Sequence, residues 1–520
     1  MSLLPIIPEI SLLIGAFIIL MFEAFFGKKF HNHKRISFII AIIFSSFALL
    51  HLISNYDHTI IVNGIENNGK FYFNQFGGSL AFNQYIFLIK IALYSLLLLF
   101  IFSVSHFVES VKYGPEFLAL ALLSLVGSSF LISSNNLLSF YMSLELQTFP
   151  LYIMAAFNKK SEQSSESALK YFILSAVASG ILLFGISLVY GFSGSINFDI
   201  LMDRVLGYQT EISKMVLLGF VLIVSSILFK IAAAPFHIWS PDVYQGAPTP
   251  ATSFFAAIAK FASVIALIEI FRFLAAAWDN VHQIFFLTAI LSLLVGAFGA
   301  IRQTNIKRLF AYSSVGHIGF ILSSLAITTW IYMSHGRQVY INPNSYYLFS
   351  GLTIYIIIYS LTSIGVFAFL LSLCNSSKNK DGDKIDNQTY DINSLAGMAK
   401  TNPILTASLT ILIFSFAGIP PMAGFFSKFY ILFEIVNAQN YLLALVAILS
   451  TVISCFYYLR IIKIMYFDKR DDNSTISIIK CNANIVVIFC ALAVILAPLY
   501  FNNFIDLIEN NVMHIIIYGR

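Results

Sequence analysis

Runs of about twenty apolar residues follow one another along almost the whole chain, and each is long enough to cross a bilayer as a helix. Continuous runs favour helices over a membrane barrel, because barrel strands alternate apolar and polar residues. With 58% hydrophobic and 11% charged residues, the composition agrees with this reading. The sequence therefore predicts an all-α polytopic membrane protein.

We predict fourteen transmembrane spans. They lie near residues 4–26, 36–54, 83–103, 115–133, 136–156, 168–190, 214–235, 250–273, 281–301, 307–328, 347–375, 403–437, 441–464 and 483–501. The twelfth run is too long for one span and contains Pro420 and Pro421, which predicts two half-helices around a break. In the seventh, Pro235 follows Lys230 and predicts a second broken helix.

The basic residues of the loops predict an orientation. Nineteen lysines and arginines lie in or beside the loops that follow odd-numbered spans, and four lie on the other side. Because basic loops remain in the cytoplasm, both termini are expected on the periplasmic side of a bacterial inner membrane, with the mitochondrial inner membrane as the alternative. The basic residues behind the net charge of +5 are distributed between the loops in this way. They therefore indicate a lipid bilayer as the partner and not a nucleic acid.

The chain carries no recognisable cofactor signature. Its four cysteines form no CxxC pair, and no glycine-rich phosphate loop occurs. We expect no metal, iron–sulfur, haem or nucleotide site in this chain.

Five ionisable residues lie deep in the predicted spans. They are Glu145, Lys230, Lys260, His317 and Lys428, in spans five, seven, eight, ten and twelve. Ionisable groups inside a membrane are costly and usually mark ion or proton paths. A lysine buried away from water loses its proton more readily, whereas a sodium or potassium site needs clustered carboxylates and carbonyls. A proton relay is favoured; the alternative is a scaffold in which these charges only hold helices together.

The two broken helices are five spans apart. Since five is odd, consecutive five-helix units would insert with opposite topology, which is the pattern of inverted repeats. We predict an N-terminal three-helix segment at 1–114, a first repeat at 115–273, a second, inverted repeat at 281–464, and a last helix with its tail at 465–520.

Several motifs carry a resemblance to a known family. They are LELQTFPLYIMAAF (144–157), LKYFILSAVASGILLFG (169–185), FKIAAAPFHIWSPDVYQGAPTP (229–250), NIKRLFAYSSVGHIGF (305–320) and FAGIPPMAGFFSKFY (416–430). Together they resemble the antiporter-like subunits of respiratory complex I and their relatives in cation/proton antiporters and membrane hydrogenases. The variant PDVYQGAPTP is similar to the subunit N family of bacterial NADH:quinone oxidoreductases.

The resemblance implies a membrane-arm subunit that translocates protons, driven by quinone reduction elsewhere in the complex. Other membrane-arm subunits would be its partners, and NADH, FMN, iron–sulfur clusters and a quinone would belong to the assembled complex. A stand-alone cation/proton antiporter is the alternative function, against which the sequence YQGAP argues.

The resemblance also implies roles for single residues. Glu145 matches the acid of the family's fifth transmembrane helix, and Lys230 matches the lysine of the seventh. Lys260 matches the central lysine of the eighth transmembrane helix, and Lys428 matches the exit-side lysine of the twelfth. His317 lies where the family has a polar residue on the connecting axis. His237 and Asp242 are expected either to line the cytoplasmic mouth of the proton path or, equally, to pack the turn that follows the seventh span.

Overall fold

The computed structural model describes residues 4–27, 32–56, 71–72, 78–198, 200–201, 214–274, 278–333, 344–375, 390–469, 476–478 and 481–508. This part of the chain is almost entirely helical. Its α-helices, numbered α1 to α19 in chain order, are Ile7–Phe26, His33–Asn55, Gln84–Ser103, Ser105–Ser110, Gly114–Ile132, Leu137–Ala155, Glu162–Ser193, Lys214–Lys230, Trp239–Gly246, Thr249–Phe254, Lys260–Leu274, Trp278–Ile301, Ile306–Met333, Asn344–Ser372, Met398–Thr401, Pro403–Ala417, Ala423–Asn437, Tyr441–Phe467 and Asn482–Leu496.

Two short antiparallel ribbons lie between helices. Strand β1, Phe71–Tyr72, pairs with β2, Ala81–Phe82, and strand β3, Leu373–Asn375, pairs with β4, Ile476–Ile478. They join loops and form no layer of the fold, so the all-α prediction is confirmed.

Every predicted span coincides with a helix or a broken pair of helices. Eleven of the helices in the described ranges are long and apolar enough to cross a membrane. The other three predicted spans correspond to α6, α8 and the pair α16 and α17. The chain is therefore a multi-pass membrane protein, and the division into the segments 1–114, 115–273, 281–464 and 465–520 stays a prediction.

Both predicted helix breaks are present. Helix α8 ends at Lys230, and a turn at 231–238 that contains Pro235 leads into α9. Helix α16 ends at Ala417 and is capped by Gly418, whose φ of +80° is in the left-handed region that favours glycine. Pro420 and Pro421 follow in the break before α17. A Cβ atom at Gly418 would lie 2.9 Å from Cδ of Lys428, so this glycine also lets the lysine approach the break.

A third irregularity was not predicted. Between α10 and α11 the helix widens into a π-helical segment at Phe255–Ala259, and Lys260 is the residue immediately after it. Such segments leave backbone groups without their usual partners and are frequent at functional sites. The segment belongs to Thr249–Phe271, which other helices surround almost completely.

The outermost helices expose apolar side chains. Phe17, Phe47, Phe456 and Leu499, on α1, α2, α18 and the stretch after α19, are each at least half exposed. Their backbone groups are satisfied within the helices, as a lipid environment requires. Several lysines and glutamates are instead buried in the interior, where the candidate site lies.

Candidate functional site

The first cluster joins Glu145 to Lys230 through a serine. The hydroxyl of Ser179 on α7 donates a hydrogen bond to Oε1 of Glu145 on α6. The ammonium of Lys230, the last residue of α8, donates to Ser179 at 3.2 Å and to Ser175 at 2.6 Å. Lys230 is 8% exposed. The acid and the lysine are therefore neighbours that share a hydroxyl group, not a direct ion pair.

The second cluster surrounds Lys260. Its ammonium lies 2.6 Å from the hydroxyl oxygen of Ser314 on α13 and 5.3 Å from the ring centroid of Tyr244. Just before it, the carbonyl of Ala259 accepts a hydrogen bond of 3.0 Å from the side-chain amide of Gln147 on α6. Lys260 is thus held by hydroxyl and aromatic groups without a carboxylate contact among the described residues.

The third cluster is built around His317 on α13. Its Nδ1 lies 2.6 Å from the hydroxyl of Tyr355 on α14, and its Nε2 lies 3.4 Å from the hydroxyl of Tyr458 on α18. Tyr458 is also hydrogen-bonded to Ser313, the neighbour of Ser314 in the chain. Ser314 therefore contacts Lys260, and its neighbour Ser313 contacts Tyr458 of the His317 cluster.

Lys428 on α17 faces the end of the preceding half-helix. Its ammonium donates hydrogen bonds to the carbonyls of Phe416 at 2.7 Å and Ala417 at 3.3 Å, in the last turn of α16. The last carbonyls of a helix have no partner within it and carry partial negative charge, which stabilises a cation. The break between α16 and α17 thus holds a buried lysine that has no carboxylate partner among the described residues.

Two internal cavities connect His317 with Lys428. Both residues line each of them, and each cavity has a volume of about 10 Å³, which is room for about one water molecule. The other lining groups include the hydroxyls of Tyr355, Tyr359 and Ser427 in one cavity, and of Ser450 and Tyr457 in the other. A path lined by hydroxyl groups can carry protons between the two residues.

Asp242 lies in a separate polar cluster on α9. Its carboxylate accepts hydrogen bonds from Lys170 at 3.0 Å and from Arg308 at 2.7 Å. Burial raises the pKa of this carboxyl, but the bonds and charges of Lys170 and Arg308 outweigh that effect and hold the pKa below its ordinary value. All three residues line a polar cavity with a volume of about 200 Å³.

His237 lies in the turn after α8 and does not line that cavity. Its ring centroid is 6.3 Å from that of Tyr312, and its Nδ1 atom is buried. The two residues predicted at the mouth are therefore in different surroundings. In the described ranges, no group of three or more His, Cys, Asp or Glu side chains is placed to hold a metal ion.

The chain matches known proteins over most of its length. Residues 134–454 match the family described as NADH:quinone oxidoreductase/Mrp antiporter, TM. The NADH-quinone oxidoreductase subunit N of Rhodospirillum rubrum is 42% identical over 358 residues, which are 69% of this chain and 68% of that protein. The subunit N of Bartonella bacilliformis is 39% identical over 489 residues, 91% of this chain and 90% of that protein. The chain belongs to the NADH-quinone oxidoreductase subunit N family.

Solved structures share the fold of this subunit N family member. A chain of respiratory complex I from Thermus thermophilus superposes with a TM-score of 0.73 at 24% identity, covering 96% of this chain and 98% of that one. A chain of the Mrp complex from Dietzia sp. gives a TM-score of 0.77 at 16% identity, covering 99% and 97%. Because the fold is common to both complexes, it does not distinguish between them.

The structure adds residues to the site that the sequence reasoning missed. Ser179, Ser314 and Tyr458 connect the predicted groups, but serine and tyrosine are common in membrane helices and give no signal of their own. Lys90 did carry a signal, since it lies in the apolar run YIFLIKIALYSLLLLF. Lys307, counted in the sequence among the loop charges, is 1% exposed and donates a hydrogen bond of 2.6 Å to the carbonyl of Ala247.

Proposed function

We propose that this chain translocates protons across the membrane as a subunit of a proton-pumping NADH:quinone oxidoreductase. Glu145, Lys230, Lys260, His317 and Lys428 hold and pass the protons. The energy comes from quinone reduction in partner subunits.

The observation that carries the proposal is the Glu145–Ser179–Lys230 contact. A hydroxyl that donates to the carboxylate and accepts from the ammonium lets a proton move between them by exchange along hydrogen bonds. A displacement of α6 or α7 that breaks this contact removes the stabilisation that the carboxylate gives to the charged lysine, so the lysine releases its proton. The pair thus couples a helix movement to proton transfer.

The neighbouring groups extend the path. From Lys230 the proton passes to Lys260, then along Ser314, Ser313 and Tyr458 to His317. The hydroxyl-lined cavities lead on to Lys428, from which the proton leaves on the outer side. The carriers are mostly cationic when protonated, and ammonium groups repel Na⁺ and K⁺, which favours protons as the transported ion.

The free energy needed to move one proton across the membrane is similar to the free energy of one or two of these hydrogen bonds. Moving one charge against 100 mV requires about 2.3 kcal/mol, and a hydrogen bond to a charged group contributes about 1.5–3 kcal/mol. Rearrangement of one or two such bonds per cycle is sufficient.

The proposal places the chain in a bacterial inner membrane with both termini on the periplasmic side. Its partners are other membrane-arm subunits, and NADH, FMN, iron–sulfur clusters and the quinone are bound elsewhere in the complex. The subunit N proteins that support this are bacterial.

A stand-alone cation/proton antiporter is the second candidate, because an Mrp complex chain has the same fold. Native purification of the tagged chain from its own membrane separates the two. Recovery in a large assembly with flavin and iron–sulfur subunits is the expected result. Recovery alone, or with small antiporter subunits, would overturn the quinone-coupled proposal.

A further inference from the structure

A buried ion pair lies in the N-terminal helices, outside the relay. Nζ of Lys90 on α3 is 2.6 Å from Oε1 of Glu9 on α1, and the two side chains are 1% and 0% exposed. The other ion pairs of the described ranges all have side chains at least 15% exposed. Glu9 and Lys90 thus form the most deeply buried pair in this part of the chain.

The surroundings of the pair leave part of its hydrogen-bonding capacity unused. Ser129 on α5 donates to the same oxygen, Oε1, at 2.6 Å, while Oε2 of Glu9 is buried without a partner. The phenyl ring of Phe82 lies 4.8 Å from the ammonium. His51 on α2 is within electrostatic reach of Glu9, and its Nδ1 is also buried without a partner.

A purely structural role explains this arrangement poorly. A buried ion pair is often no more stabilising than apolar residues of similar volume, and the cost of its desolvation is higher still in a membrane. If the pair only held helices together, its buried polar atoms would be expected to have hydrogen-bond partners, whereas Oε2 of Glu9 has none among the described residues. A free oxygen is instead what a carboxylate needs to accept a proton.

We propose that Glu9 and Lys90 form a second proton-binding site, in the N-terminal three-helix segment. In the closed pair one proton is held, on Lys90, and the carboxylate is charged. In the loaded state a second proton binds to Glu9, and the contact opens because the attraction between opposite charges is lost. Release of that proton to water at the end of the membrane where α1 begins restores the ion pair.

The site is connected to the predicted first repeat. Ser129, which contacts Glu9, is on α5, and the hydroxyl of Tyr94 on α3 donates to Ser129 at 3.4 Å. A shift of α5 against α1 and α3 therefore changes the contacts of the pair. The inference rests on the proposed function, since it adds one proton site to the same cycle.

Two variants of the assembled complex test the site. Glu9→Gln keeps a side-chain oxygen that can accept the hydrogen bonds of Lys90 and Ser129, but an amide does not take up a proton. The double variant Glu9→Gln/Lys90→Met removes both charges and leaves no unpaired ion. The matched control is Arg35→Met/Glu109→Gln, which neutralises an exposed ion pair between α2 and α4.

The measurement is the ratio of protons translocated to NADH oxidised, in proteoliposomes that contain the purified complex. We expect a lower ratio in Glu9→Gln and in the double variant, and an unchanged ratio in the control. A wild-type ratio in either assembled variant would overturn the inference, because neither can take up a proton at residue 9. Loss of pumping in Lys230→Ala with a normal ratio in Glu9→Gln or in the double variant would refute this site alone, whereas normal pumping in Lys230→Ala would refute the proposed function.

Discussion

The side-chain amide of Gln147 donates a hydrogen bond of 3.0 Å to the carbonyl of Ala259, the residue immediately before Lys260. Gln147 is two residues beyond Glu145 on α6, so the two side chains leave nearly opposite faces of that helix. One face contacts Ser179 beside Lys230, and the other contacts the π-helical segment at Lys260. Helix α6 therefore contacts the surroundings of both Lys230 and Lys260, and in the proposed relay it would connect these two lysines mechanically.

Replacing Gln147 by leucine tests this connection. The variant removes one of two side-chain donors to the carbonyl of Ala259, which also accepts a hydrogen bond of 2.9 Å from Ser263. The lost hydrogen bond contributes about 0.5–1.5 kcal/mol, and its loss frees Lys260 from the position of α6. We expect an assembled complex with severalfold lower NADH-driven proton pumping. Gln303→Leu is the control, since Gln303 donates a similar bond of 2.9 Å to Gly299 away from the relay. Equal pumping in the two variants would argue against a connection through α6.

Ser179→Ala removes the hydroxyl shared by Glu145 and Lys230. A hydrogen bond to a charged group contributes about 1.5–3 kcal/mol, so the coupling between acid and lysine is expected to weaken by about 10- to 100-fold. Pumping should fall while the complex remains assembled. Ser187→Ala, at an exposed position on the same helix, should pump as wild type. A Ser179→Ala complex with full pumping would remove the serine from the path.

Replacing Glu434 on α17 tests the outward half of the proposed path, from Lys428 to the outer side of the membrane. It is the only acidic residue in predicted spans nine to thirteen, is 7% exposed, and lies six residues beyond Lys428, about 9 Å along the helix axis. We expect Glu434→Gln to slow proton release and so lower both pumping and quinone reduction. Glu162→Gln, which changes an exposed carboxylate on α7, should leave both rates unchanged. If the two variants behave alike, Glu434 takes no part in release.

The Asp242 cluster predicts a stability effect with a defined pH dependence. The pKa of Asp242 is lowered in the folded protein, so its contacts with Lys170 and Arg308 stabilise the fold above the ordinary carboxyl pKa of about 4 and are lost as pH falls through the lower, folded value. Asp242→Asn should therefore lower the Tm of the purified complex by the same amount at pH 7 and pH 5. A difference that disappears between pH 7 and pH 5 would be inconsistent with a lowered pKa.

The sequence predicted the helices and breaks well because their signals are local. A lysine inside an apolar run and a proline next to it are both costly in lipid, so Lys230 with Pro235, and Lys428 with Pro420, stood out without any knowledge of the fold. The connecting residues could not be predicted in this way. Whether Ser179 bonds to its own helix or to Glu145 depends on packing, and the π-helical segment at FAAIA contains no residue that requires it.

Contacts between residues that lie far apart in the sequence also could not be predicted. Glu9 and Lys90 are each visible as charges in apolar runs, but they are 81 positions apart and nothing in their spacing joins them. The same limit applies to Glu145 and Lys230, which the sequence places deep in two different spans without showing whether they meet. Their proximity is found in the structure, but the serine between them follows from the packing of α6 against α7 and α8.

Proton pumping by the Lys230→Ala complex is the most direct test of the relay. The assembled complex is purified, reconstituted into proteoliposomes, and assayed for protons moved per NADH oxidised, beside a Lys214→Ala complex that lacks the exposed lysine at the opposite end of α8. We predict intact assembly with pumping abolished or strongly reduced in Lys230→Ala, and wild-type pumping in Lys214→Ala. Normal pumping by an assembled Lys230→Ala complex would contradict the proposal that protons pass through this lysine.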